Sequence, residues 1–240
     1  MDMTDTCHEC GDEYERIAQH WALSDCNHQP FSECQHEVLT GLLMGDGGIT
    51  WSGRRKAPQM QVKMIEENYL NYLSSDIFPI LSGGVSIDMT AEEHAYSQRK
   101  HGGNPNAKTK NYNDSFNFCI MTHPGLIEYG KWYQNGGKTF PEDIELTPTT
   151  LKHYFVGDGH FNAHGNVKIG LSNERENRDK IINMFRRAGF EDFAWDRYER
   201  GGDYKDGARV RFRKEGTKWF FRYIGDPLPG FEYKWPEHKR

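Results

Sequence analysis

No stretch of this chain approaches the roughly 18 consecutive apolar residues that a membrane-spanning helix requires, which excludes such a helix. The start, Met1-Asp2-Met3-Thr4-Asp5, is acidic and lacks the basic and apolar regions of a signal peptide. Cytoplasmic residence and no membrane partner are therefore expected. Cysteine is scarce: five in 240 residues, four of them within the first 34. That placement excludes a disulfide framework spread over the chain and leaves a local metal site open. Excess basic charge is also missing, since 30 Lys and Arg against 35 Asp and Glu give a net charge of −5. The acidic balance argues against a chain-wide polycation, so any nucleic-acid contact has to come from a local basic face. Apolar residues are present in quantity. At 36% hydrophobic and 13% aromatic, the chain can build the core of one large or two small domains.

The clustered cysteines have metal-ligand spacing. Cys7-His8-Glu9-Cys10-Gly11 is a CxxC knuckle, and His20 and Cys26 complete a C-x2-C-x9-H-x5-C pattern. Four soft or borderline donors at such spacing suit tetrahedral Zn²⁺. Cys34 and His28 compete for the fourth position. Residues 1–30 are accordingly read as a small zinc-binding module. Cys119 lies in an apolar run and is expected to be a buried thiol.

Two stretches of the remaining chain nearly repeat one another. Leu39-Thr40-Gly41-Leu42-Leu43-Met44-Gly45-Asp46-Gly47 is echoed by Leu151-Lys152-His153-Tyr154-Phe155-Val156-Gly157-Asp158-Gly159. Each is an apolar helical run ending in Gly-Asp-Gly. A helix C-terminus carries partial negative charge and favours cations. An aspartate there is badly placed for stability, and two at equivalent points imply a shared site. A divalent cation is the natural compensating charge. Gly41 and Gly45 stand one turn apart and would let a second helix approach at backbone distance. His153 and Gly157 take those places in the second copy, so packing across the pair has to be asymmetric. Each half also closes with a lysine shortly before a proline: Lys138 before Pro141, and Lys234 before Pro236.

These motifs resemble the LAGLIDADG motif of homing endonucleases of the single-chain, two-repeat type. The first copy matches at Leu39, Gly41, Leu42, Asp46 and Gly47, the second at Leu151, Asp158 and Gly159, with departures at His153, Tyr154 and Phe155. The resemblance implies an α+β fold of two pseudo-symmetric αββαββα repeats forming a DNA-binding saddle, residues 31–141 and 142–240, behind the N-terminal module. It implies site-specific cleavage of a long double-stranded DNA target by a monomer. Asp46 and Asp158, with Gly45 and Gly157 beside them, would hold Mg²⁺ or Mn²⁺, and Lys138 and Lys234 would be catalytic. An RNA-binding intron maturase, or a DNA-binding protein that has lost cleavage, is the alternative within the family.

The strands supply a candidate DNA face. Met60, Val62 and Met64 alternate with Gln59, Gln61 and Lys63, as in a half-buried strand. Val167 and Ile169 alternate with Lys168, after a turn containing Asn162, His164 and Asn166. Val210 and Phe212 alternate with Arg209, Arg211 and Arg213, and Arg197 lies on the strand before. Arg on guanine and Gln or Asn on adenine are major-groove pairings, and a two-stranded ribbon fits that groove. Arg54, Arg55 and Lys56, at a hairpin tip, suit phosphate contact that positions without specifying. The polar stretch from His94 to Lys110 reads as a long loop.

Overall fold

The computed structural model describes residues 4–15, 17–51, 57–102, 104–171, 174–198 and 207–236. At the N-terminus β1 (Asp5–Thr6) pairs antiparallel with β2 (Glu13–Tyr14), and α1 (Ile17–Leu23) follows. Next come α2 (Glu33–Met44), β3 (Gly48–Thr50), β4 (Gln59–Met64), α3 (Glu67–Tyr72), β5 (Ser82–Met89), α4 (Ala91–Lys100), β6 (Ser115–Ile120) and the short α5 (Ile127–Gly130). The order then recurs as α6 (Pro148–Asp158), β7 (Gly159–Phe161), β8 (Val167–Gly170), α7 (Arg178–Arg187), β9 (Phe193–Tyr198), β10 (Gly207–Phe212) and α8 (Lys214–Ile224). With α4 set aside as an insertion, both passes read αββαββα. Among the described residues no helix is long and apolar enough to cross a membrane.

Packing groups the chain into two compact units: residues 1–31 with 47–127, and residues 32–46 with 128–240. The grouping does not follow chain order, because α2 packs with the second repeat. In the first unit the antiparallel sheet runs β3-β4-β6-β5. Met60, Val62, Phe118 and Ile120 point from it into a core with Leu70, Leu73 and Phe78. The N-terminal segment is fastened to this unit through His123. Its Nδ1 accepts from the Gly125 amide at 3.0 Å, so Nε2 carries the proton and donates to Gln29 O at 3.0 Å. The Phe31 ring lies 4.0 Å from the His123 ring. In the second unit the sheet runs β7-β8-β10-β9, and Phe155, Phe185, Phe190, Phe212 and Phe220 form an aromatic core beside it.

Two local expectations are corrected. His94 to Lys100 is not loop but the body of α4. Thr90 caps the helix reciprocally with Glu93, and Arg99 and Lys100 complement its C-terminal end. The polarity that suggested a loop is that of an exposed helix whose only buried residue is Ala95. Cys119 is half-buried, not a core thiol. Its register partner on β4 is Gln61, so it shares the polar face, while Phe118 and Ile120 take the core.

Candidate active site and nucleic-acid face

The two Gly-Asp-Gly helices lie side by side in the second unit. Ser32 starts α2 with a reciprocal cap: its Oγ accepts from the Gln35 amide at 3.2 Å, and its own amide donates to Gln35 Oε1 at 2.9 Å. Thr147 caps α6, with Pro148 at the first helical position. The helices touch at backbone distance. A Cβ at Gly41 would collide with Thr150 O and stand 2.7 Å from His153 Cβ. Further along, a Cβ at Gly45 would lie 3.4 Å from Gly157 Cα, and one at Gly157 would lie 3.4 Å from Asp46 Oδ2. Thr150 Oγ1 adds a hydrogen bond to Glu37 O at 3.2 Å. The asymmetry read from the sequence is present: Gly41 has no side chain, whereas His153 fills the interface and is buried. Burial, and then the Lys152 charge, hold His153 down to about 3, so it is a neutral packing residue.

This contact brings Asp46 and Asp158 together at the C-terminal ends of the two helices. Both aspartates keep solvent exposure. Asp158 is nonetheless crowded enough that burial, then the Asp46 carboxylate, raise it to about 6 against the pull of Lys138 and Lys234. Lys138 Nζ donates to Gly45 O at 2.5 Å. Burial pushes its ammonium down, and the Asp158 and Asp46 charges hold it up. Lys234 Nζ donates to Val156 O at 2.6 Å and Gly159 O at 2.8 Å. Each lysine therefore sits on the carbonyls at one helix end, where the helix dipole favours a cation. The Gly45 carbonyl, expected to face a metal, is occupied in this arrangement by Lys138.

A cleft of about 330 Å³ opens beside Asp158 and is lined by His160, Lys168, Tyr198 and Arg209. Register puts these on one face: His160 opposite Lys168, Lys168 opposite Arg211, and Arg209 opposite Asp196. Ala208, Val210 and Phe212 are buried on the other face. Sequence reasoning passed over His160, although its place two residues after Asp158 on a strand was visible. It also missed Asp196, whose carboxylate pairs with Arg211 at 2.7 Å and Arg209 at 3.5 Å. The Arg211 guanidinium, by hydrogen bond, holds Asp196 below the ordinary carboxylate range. Arg197 donates to Arg175 O at 2.9 Å and pairs with Glu176 at 3.0 Å. Arg213 lies beyond β10: it is the N-cap residue of α8, 3.8 Å from Asp192, because the strand ends once Phe212 is buried. Asn162 Oδ1 accepts from the His164 and Asn166 amides, both at 3.0 Å, and closes the β7–β8 turn.

In the first unit Gln59, Gln61 and Lys63 alternate with buried Met60 and Val62, as expected. Gln61 Nε2 donates to Asn117 Oδ1 at 2.6 Å, and Lys63 pairs with Asp88 at 2.6 Å. Asn117 extends this polar face and was not singled out from sequence. Arg54, Arg55 and Lys56 lie outside the described residues.

The N-terminal cluster has the geometry of a metal centre. Ligand atoms of Cys7, Cys10, His20 and Cys26 all fall within 4.8 Å of one another. Neither competitor joins them: Cys34 is on α2, and His28 packs against Trp21 and His123. The β1–β2 hairpin presents the knuckle, with Gly11 in the left-handed region at φ 78°. The helix α1 presents His20, which stacks on Tyr14 at 3.9 Å. Burial pushes the Cys7 thiol up, but hydrogen bonds from the Cys10 and Glu9 backbone outweigh it and hold Cys7 down to about 6. A thiol with that bias is suited to bind metal as thiolate.

A family model described as the LAGLIDADG DNA endonuclease family matches residues 36–220. Among solved structures, the homing endonuclease I-WcaI bound to its DNA recognition sequence superposes with a TM-score of 0.69 at 16% identity, over 91% of this chain and 92% of that one. A variant of I-DmoI in complex with its target DNA, nicked in the coding strand and in the presence of Mn, gives a TM-score of 0.51 at 10% identity, over 81% and 97%. At such identities the likeness is one of fold. No curated protein matches the chain.

Proposed function

The chain belongs to the LAGLIDADG DNA endonuclease family, and from that premise we propose a site-specific endonuclease that cuts both strands of a long DNA target as a monomer, using divalent metal at Asp46 and Asp158. The observation that carries this reading is the convergence of two carboxylates and two half-buried lysines where α2 and α6 touch. All four belong to one compact unit of one chain. Burial, and then the nearby Asp46 carboxylate, raise Asp158 to about 6, a penalty on its charge that a bound cation would relieve. The donor set is all oxygen, which suits Mg²⁺ or Mn²⁺, with Gly157 as a further carbonyl donor and Gly45 one only if Lys138 leaves its carbonyl. Such an ion, when bound, would lower the pKa of a water and offset phosphate charge.

The protein's own groups do the rest. Asp46 and Asp158 would each fix one charge centre against one strand. Lys138 and Lys234 would hold an ammonium near the scissile phosphates, where negative charge grows as the phosphorus–oxygen bond breaks. The polar faces of the two sheets would read base edges through Gln59, Gln61, Lys63, His164, Asn166, Lys168, Arg209 and Arg211. Asn162 would shape the turn. Arg197 and Arg213 would meet phosphate, as would Arg54, Arg55 and Lys56. The Cys7, Cys10, His20 and Cys26 set fits Zn²⁺ with no protein ligand missing, as in a structural site. The test is incubation with a library of long duplexes and Mg²⁺. Discrete double-strand products support the reading, and retention of DNA without cutting by an intact, metal-loaded protein overturns it.

A further inference from the structure

The segment that carries Lys138 has almost no regular structure of its own. From Gly137 to Leu146 it forms neither strand nor helix. A lysine on such a strap would hold its ammonium only loosely, yet Lys138 Nζ is seated on Gly45 O. The seat is explained two residues further on. Glu174 is fully buried and pairs with Lys180 at 2.6 Å, and Lys180 is itself only 12% exposed. Both ends of this pair grip the backbone of one residue. Phe140 N donates to Glu174 Oε1 at 2.5 Å, and Lys180 Nζ donates to Phe140 O at 2.8 Å. Asn177 Nδ2 donates to the other Glu174 oxygen at 2.8 Å. One helical face of α7 adds Arg187, whose Nη2 donates to Glu142 O at 2.6 Å and Ile144 O at 3.2 Å.

A buried ion pair is a poor device for stability alone, since apolar residues of like volume generally do as well or better. Its advantage is direction: it fixes a donor and an acceptor at set points. The other lysine is held differently. The strap after Lys234 is anchored by the neutral Trp235 indole, which donates to Gly225 O at 2.8 Å. We propose that Glu174 and Lys180 are positioning residues for Lys138, clamping Phe140 so that the ammonium is held at the Asp46–Asp158 site, and that they serve only the DNA strand that Lys138 attends. The inference rests on the endonuclease reading above.

The test is strand-resolved single-turnover cleavage. Glu174→Leu combined with Lys180→Met removes both grips without stranding a buried charge. It should lower the melting temperature, because the Phe140 backbone and the Asn177 amide lose buried partners, but leave the protein folded at assay temperature with metal-free DNA affinity near wild type. It should slow one strand by about 10- to 100-fold, the loss expected when a catalytic group is misplaced by around 1 Å. That strand should be the one slowed by Lys138→Met, and adding the pair to Lys138→Met should cost nothing further. Should the double variant not fold, Glu174→Gln combined with Lys180→Met gives a milder form of the comparison, because it keeps an oxygen for the Phe140 amide, buries no unpaired charge and releases only the Phe140 carbonyl. Equal slowing of both strands, no slowing, or losses that multiply with Lys138→Met would overturn the clamp. If Lys138→Met itself leaves both rates unchanged, the catalytic reading of Lys138 fails and the clamp fails with it.

Discussion

At the scale of the residue, function and stability pull in opposite directions at Asp158. Its carboxyl is raised to about 6 by burial and then by Asp46, so the folded state prefers the proton that an ordinary carboxylate gives up near pH 4. The sign follows from that preference. Asp158 weakens the fold at neutral pH, and the penalty is relieved as pH falls through about 6. A cation competes for the same oxygens, so divalent-ion affinity should fall below about pH 6, as calorimetric titration at pH 5.5 and 7.5 would reveal. Asp46→Asn and Asp158→Asn should each abolish double-strand cleavage while leaving binding largely intact, because an amide is neutral and a weaker ligand. Normal cutting of both strands by either variant would remove that residue from the site. His153 works the other way. Held down to about 3, it stays neutral in the fold, whereas the unfolded chain takes a proton below about 6.5. Stability is therefore full above about pH 6.5 and is lost on acidification towards 3. His153→Leu should flatten this acid limb by up to about 1.4 kcal/mol per pH unit, measured by denaturant unfolding at pH 7 and 4.5.

At the scale of the element, the site exists because α2 and α6 approach more closely than side chains normally allow. Gly41 is the tightest point, directly against Thr150 O and His153 Cβ. Gly41→Val would force the helices apart and should destabilise the protein by about 1–3 kcal/mol, the usual range for overpacking. Since the same contact sets the spacing of Asp46 and Asp158, the variant should also lose cleavage at temperatures where it remains folded. Thermal melting alongside a cleavage assay separates the two effects. A variant that melts normally and cuts normally would show that the glycine is not required. The N-terminal hairpin and α1 form a second such element. Two strands of two residues each cannot hold a fold without a staple. One Zn²⁺ per chain should copurify, and Cys7→Ser or Cys10→Ser should release it. Protein made with adequate zinc that contains none would end the assignment.

At the scale of the whole molecule, both aspartates and both lysines are supplied by one chain, so a partner copy adds nothing that the chemistry lacks. The complex with DNA should sediment as one protein per duplex, and an obligate dimer on a single target would contradict the duplicated architecture. The acidic balance carries a second consequence. Several of the candidate DNA-facing cations are already paired within the protein: Lys63 with Asp88, and Arg209 and Arg211 with Asp196. Such pairing orients the side chains but leaves less charge to displace counterions. The salt slope of binding should accordingly be shallower than a count of basic residues on the two faces predicts. Affinity measured between 50 and 300 mM salt, about the range over which counterion release is resolved, tests this.

Several features were readable in the chain alone because each is written in residues close together. The repeated Gly-Asp-Gly helices, the period-two alternation around Met60 and Val210, and the knuckle at Cys7 and Cys10 are all local patterns. Local backbone geometry turns each into a surface with a fixed direction. Even the asymmetry at Gly41 and His153 followed from aligning two short motifs, each local in itself although they stand far apart in the chain. Other features depended on residues far apart in sequence. The Glu174–Lys180 grip on Phe140, the Asp196 tether on Arg209 and Arg211, and the grouping of Cys26, rather than Cys34, with Cys7, Cys10 and His20 follow from which elements pack together. Composition misled at α4, where a capped, exposed helix has the polarity of a loop. Short-range sterics and periodicity specify what each segment is. Which charges meet, and therefore what holds Lys138 in place, is settled only when burial forces distant ionic groups to find partners.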